Sequence, residues 1–181
     1  LDGTDNGFST DQEGSLTVGE QTQTIGWCNL QYPPATATTP GTPTENIYGR
    51  VYVEGCTDGD AQCGAVSGEV GWGPADANPS TAPGDFSWVA AAYNGDHVED
   101  NNDEYQAQIT ENTEGDYKYA YRFTLDGGST WTYCDLDGLD NGFSTDQEGS
   151  LTVADTVLNV DWCSLHWPAE TTTQPDTPTG D

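Results

Sequence analysis

The stretch Tyr117-Lys-Tyr-Ala-Tyr-Arg-Phe-Thr-Leu125 alternates without a break. Tyr117, Tyr119, Tyr121, Phe123 and Leu125 fall on one side, and Lys118, Ala120, Arg122 and Thr124 on the other. Successive side chains of extended backbone point to opposite faces, so a period of two reads as a half-buried β-strand. The same rule holds upstream. Val51 and Val53 alternate with Arg50, Tyr52 and Glu54; Val66, Gly68, Val70 and Trp72 alternate with Ser67, Glu69 and Gly71; Phe86, Trp88 and Ala90 repeat it. Turn clusters separate the runs: CTDGDAQC at 56–63, PADANPSTAPGD at 74–85, NGDHVEDNND at 94–103, ENTEGD at 111–116 and DGGS at 126–129. No segment has a helical period. The pattern predicts an all-β protein, an antiparallel Ig-like β-sandwich of about seven or eight short strands.

Composition narrows the partners. Of 181 residues, 3 are Lys or Arg and 31 are Asp or Glu, a formal net charge of −28. Three cations cannot neutralise a phosphate track, which excludes nucleic acid. No run of about 18 apolar residues exists, so no membrane insertion is expected. Gly (22) and Pro (10) work against long helices. The acidic balance suits high salt or divalent cations, where self-repulsion is relieved. Without a Met or an apolar leader, the sequence reads as a processed product or a window on something longer.

An internal repeat organises the chain. LDGTDNGFSTDQEGSLTV at Leu1–Val18 returns as LDGLDNGFSTDQEGSLTV at Leu136–Val153, an offset of 135 residues with one difference. The offset persists from Trp27-Cys28 to Trp162-Cys163, from Leu30 to Leu165 and from Pro33 to Pro168. Residues 1–24 are read as the closing-strand segment of a preceding unit and 25–153 as a complete sandwich unit. Residues 154–181 are then the opening strand and Thr/Pro-rich segment of a following unit. Such extra strands, carrying Leu16 and Val18 on one side and Val160, Trp162 and Cys163 on the other, are candidates for strand exchange with neighbouring units. The Thr/Pro-rich stretch at 33–45 and its copy are extended and stiff. Thr36, Thr38, Thr39, Thr42, Thr171, Thr172 and Thr173 are candidate O-glycosylation sites; the alternative is an ordinary Pro-bearing edge strand or loop.

Five cysteines point to an oxidising, extracellular setting. Cys56 and Cys63 bracket a Gly/Asp-rich turn and are expected to form a local staple. Cys28 on the first strand can pair with Cys134 near the end, closing a loop of about 100 residues. The rival pairing joins Cys134 to Cys163 and orphans Cys28. Zinc is not expected: there is no C-x-x-C pair, and His97 and His166 stand apart.

Four further patterns bear on chemistry. Thr124-Leu-Asp-Gly-Gly-Ser-Thr-Trp131 resembles the Asp-box hairpin of secreted β proteins, in which the box is structural. Asp135, Asp137, Asp140 and Asn141 crowd a Gly-bearing loop of the kind a hard cation such as calcium takes, although no Glu falls twelve positions along; Asp100 and Asp103 form a second candidate. Their competing role is as Asx-turns on an acidic surface. Trp72, Trp88, Tyr93, Tyr105 and Trp131 either form a sugar-stacking platform or fill the core. No nucleophile motif and no singular carboxylate pair stands out, so an enzyme is not expected.

The blocks WCNLQYP at 27–33, NIYGRVYVEG at 46–55, DNNDEYQAQIT at 100–110 and GDYKYAYRFTLDGGSTWTYCDLDGLDNGFSTDQEGSLTV at 115–153 resemble repeat modules of secreted proteins from myxobacteria and related bacteria. They are more faintly similar to β-sandwich accessory modules of pullulanase-type extracellular enzymes. The resemblance covers Ile25 to Val153. It implies a sandwich opened by the WC strand and closed by the SLTV strand, which favours the Cys28–Cys134 pairing, and it implies no activity. The expectation is an extracellular or cell-surface structural protein, a tandem repeat forming a fibre, sheath or adhesin whose partners are copies of itself or adjacent units. The alternative is a carbohydrate-binding accessory module with glycan ligands. No cofactor is required in either case, and calcium is the one metal expected.

Overall fold

The computed structural model describes residues 23–97, 101–138 and 142–155. Nine strands follow in chain order: β1 (Trp27–Tyr32), β2 (Ala35–Thr38), β3 (Ile47–Tyr52), β4 (Ser67–Pro74), β5 (Ser87–Tyr93), β6 (Asp103–Ala107), β7 (Gly115–Thr124), β8 (Thr132–Cys134) and β9 (Gly149–Val153). They join in the order β1-β3-β6-β5-β4-β7-β9-β2, with β8 on β7. All pairs are antiparallel except β2 with β9. The all-β expectation holds; β2 is the edge strand that stood as the alternative for the Thr/Pro-rich stretch, while β6 and β8 lie outside the alternating runs and are too short to show the period.

The sheet closes on itself through β5. Its first part pairs with β4, from Ser87 opposite Trp72 to Ala91 opposite Gly68. Its last two residues, Ala92 and Tyr93, pair instead with Gln106 and Tyr105 of β6. One layer is thus β1-β3-β6-β5 and the other β4-β7-β9, the A-B-E-D and C-F-G order of an immunoglobulin-type sandwich.

The alternation read in β7 sets the core. Tyr119, Tyr121 and Phe123 are fully buried between the layers, and Tyr117 is half-buried. Phe123 stacks on Tyr121 and meets Tyr105 of the opposite layer edge-on, both with centroids 5.5 Å apart. Ile47, Val51, Leu30, Val70 and Leu151 complete the core. Buried tyrosines need partners for their hydroxyls. Tyr121 donates to the Ile47 carbonyl at 2.8 Å, Tyr105 to the Val66 carbonyl at 3.2 Å and Tyr119 to the Pro33 carbonyl.

The outward face of β7 is not simply solvated. Ala120 is fully buried there, because Trp88 of β5 lies flat across Gly71, its direct partner on β4. Any Cβ at Gly71 would run into that indole. Phe86 covers Gly73 in the same way and stacks on Trp88 at 5.9 Å.

Candidate functional site

The loop from Cys134 to Glu148 is rooted in the core. Cys134 is bonded to Cys28 of β1, and the next carbonyl, that of Asp135, accepts the Leu30 N–H at 2.7 Å. The two arms of the loop are tied by the Leu136 N–H donating to the Gln147 carbonyl at 2.8 Å. That bond draws together the segments that carry Asp135 and Glu148, and the charge of Asp135 acts on Glu148. Gly138 turns the chain with φ +83°, and its bare Cα lies against the Trp27 indole, where a Cβ would sit 2.6 Å from Nε1. Ser144 caps the short 3₁₀ turn Thr145–Gln147, its Oγ accepting the Asp146 N–H.

Both carboxylates are sealed from water. Asp135 is 0% and Glu148 4% exposed. Asp135 Oδ2 accepts the Ser144 N–H at 2.6 Å. Asp135 Oδ1 and both oxygens of Glu148 have no hydrogen-bond partner. Burial pushes the Asp135 carboxyl up to about 6; the Ser144 and Asp137 amides oppose the shift, while the Asp137 carboxylate adds to it through its charge and a side-chain hydrogen bond. Burial raises Glu148 to about 7, eased by the charge of Lys118 and aggravated by that of Asp135. Isolated buried carboxylates are costly, and they neutralise by taking up a proton or a cation.

Of the expected calcium ligands, Asp135 and Asp137 lie in this loop, and Asp137 is exposed beside it. Asp140, Asn141 and Asp100 lie outside the described residues. Asp103, at the start of β6, is buried and accepts the Cys63 N–H at 2.7 Å, so it serves the Cys56–Cys63 turn. Among the described residues no three His, Cys, Asp or Glu side chains gather as a metal centre. The residue sequence reasoning missed is Glu148. A signal was present: counted from Asp137 rather than Asp135, Glu148 is the twelfth position.

A second region is the outer face around Arg122. Its guanidinium carbon sits 3.7 Å from the centroid of Trp88 and 4.1 Å from that of Trp131. Glu69, directly opposite on β4, accepts from Arg122 Nε at 2.9 Å and from Nη2 at 2.6 Å. Tyr133 and Phe143 continue the cluster edge-on. The five aromatics of the expected platform therefore divide. Tyr105 is core, Tyr93 packs on it, and Trp72 faces inward with its Nε1 donating to Glu111 at 2.9 Å. Trp88 and Trp131 alone share the outer face, half-buried.

A third region is the open polar cleft on the outer face of β3 and β6. Glu104 there accepts from Arg50 Nε at 3.0 Å and from Asn94 Nδ2 at 2.7 Å, with His97 Nδ1 3.9 Å away. Its carboxylate is satisfied, and Gln31, Tyr32 and Tyr48 complete the lining without a serine or cysteine nucleophile. The two arginines are thus each matched to the carboxylate opposite them on the sheet.

The remaining candidates lie in a turn, on an edge strand or outside the described residues. Thr124 Oγ1 donates to Asp126 at 2.7 Å and accepts the Asp126 and Gly128 amides, while Asp126 takes both the N–H and the hydroxyl of Thr130, which closes the Asp-box-like turn. Thr36 and Thr38 belong to edge strand β2; Thr36 donates to Glu45 and Thr38 to the Thr42 carbonyl. Thr39 and Thr42 share a hydrogen bond, and of these four only Thr42 is exposed. Leu16, Val18, Val160, Trp162, Cys163 and Thr171–Thr173 lie outside the described residues. Cys28–Cys134 and Cys56–Cys63 are both formed, as suits a non-reducing environment. No helix among the described residues is long and apolar enough to cross a membrane. No protein-family model matches the chain, and no curated protein matches it either.

Proposed function

We propose that the chain is an extracellular structural protein, a tandem β-sandwich repeat that builds a fibre, sheath or adhesin through strand exchange between units. One observation carries the reading. β9 is Gly149-Ser-Leu-Thr-Val153, held between β7 and edge strand β2, and the same five residues recur as Gly14–Val18. A segment identical to a strand can occupy that strand's slot in another copy with the same register and the same buried leucine and valine. The opening strand is duplicated as well, WCNLQY of β1 returning as WCSLHW at 162–167. Negative-stain microscopy of unreduced protein tests the proposal: filaments with a repeat near one domain length are expected, and dispersed monomers at all concentrations sink it.

Trp88 and Trp131, half-buried together on the outer face, favour a second reading, a carbohydrate-binding module. Indole faces stack on sugar rings, but here both already flank Arg122. A glycan array separates the two: saccharide binding abolished by Trp131→Ala supports the module, and silence across the array leaves the structural reading.

A further inference from the structure

We propose that Asp135 and Glu148 form a calcium site at the root of the 134–148 loop. The proposal is independent of strand exchange. Three buried carboxylate oxygens, Asp135 Oδ1 and Glu148 Oε1 and Oε2, lack any partner. The fold holds them there: the Cys28–Cys134 bridge and the Leu30–Asp135 bond fix one arm, and the Leu136–Gln147 bond fixes the other against it. Native structures rarely leave such acceptors orphaned, and the charge of Asp135 reaches Glu148, so one positive ligand between them would satisfy both.

The chemistry of the donors selects the ligand. All three are hard anionic oxygens, which suit calcium or magnesium over a soft metal. Calcium tolerates irregular geometry, accepts bidentate carboxylates and fills its shell with carbonyls and water. Magnesium gives up its water shell reluctantly, which suits a pair of buried carboxylates less well. A proton competes for Glu148, and the charge of Lys118 also acts on it, with no ion pair between the two side chains among the described residues. Calcium binding relieves both carboxylates at once, and the repulsion between them turns into shared attraction to one ion.

The test uses the full chain, first stripped with chelator and then titrated with calcium chloride. Saturating calcium raises Tm by roughly 5–10 °C, and terbium placed in the site luminesces on excitation of Trp27, whose indole abuts Gly138. Glu148→Gln and Asp135→Asn lose that increment and the luminescence. Without metal, Glu148→Gln is no less stable than the wild type, since it removes a buried charge with no hydrogen-bond partner, and Asp135→Asn keeps a side-chain oxygen for the Ser144 N–H; this distinguishes lost binding from lost folding. A wild-type Tm indifferent to both calcium and chelator overturns the proposal. So does retention of the full increment in both variants, which would assign the ion to another part of the chain.

Discussion

Two acidic turns sit at the two ends of β8, and they handle the same charge in opposite ways. Asp126, at the tip before β8, is exposed, yet both its oxygens are engaged by Thr124 and Thr130. The Thr130 amide, with help from the two hydroxyls, holds its carboxyl down to about 2. Glu148, across the loop after β8, is sealed in with no partner at all, and burial lifts it to about 7. In a chain with 31 acidic residues, exposure does not tell which carboxylates are finished parts of the fold. Partner count does.

The contrast can be broken most severely at the root of the second turn. Replacing Cys28 and Cys134 together by Ser is expected to cost about 2–5 kcal/mol in urea unfolding and to abolish any response to calcium, because Asp135 loses its anchor. A calcium response that survives would show that the loop holds its own shape. Next in size, Thr124→Val removes the hydroxyl that joins the Asp126 carboxylate to two amides, and should cost about 1–3 kcal/mol. Glu148→Gln in chelated protein should move stability in the other direction, upward by on the order of 1 kcal/mol at pH 8. Equal losses in these two variants would erase the distinction between a finished and an unfinished turn.

The smallest effect sharpens the picture by pH. Asp126 has a folded pKa below its ordinary value, so its contribution is present above pH 4 and is lost as pH falls towards 2. The stability gap between wild type and Asp126→Asn should therefore narrow between pH 4 and pH 2, read by chemical denaturation at each pH. A gap that stays constant through that window would mean that the hydrogen bonds at Thr130 do not depend on the carboxylate's charge.

The inward set of β7 was legible because alternation is a property of single strands: Tyr119, Tyr121 and Phe123 all face the core. The parallel seating of β2 beside β9 was not, since neither strand's side-chain pattern encodes its neighbour. The split pairing of β5 was likewise hidden, because a strand that changes partner midway keeps its own period. At the candidate site the sequence marked Asp135 and Asp137 through their crowding on a Gly-bearing loop. Glu148 was marked only by its count, twelfth when Asp137 is the first position, in an otherwise ordinary approach to β9. Only the hydrogen bond between Leu136 and Gln147 brings it back. The aromatics divide between core and outer face for a related reason: composition counts indoles, whereas the face each occupies depends on register.

The bridge from Cys28 to Cys134 spans 106 positions. Mechanically it is a bypass. Tension entering along β1 and leaving along the segment after β8 passes through two sulfur atoms, and the backbone between them carries none of it. Pulled straight, that backbone would lengthen the chain by roughly 350–380 Å. The oxidised molecule withholds this length and the reduced one releases it, so the redox state of its surroundings sets how far the chain can extend under load.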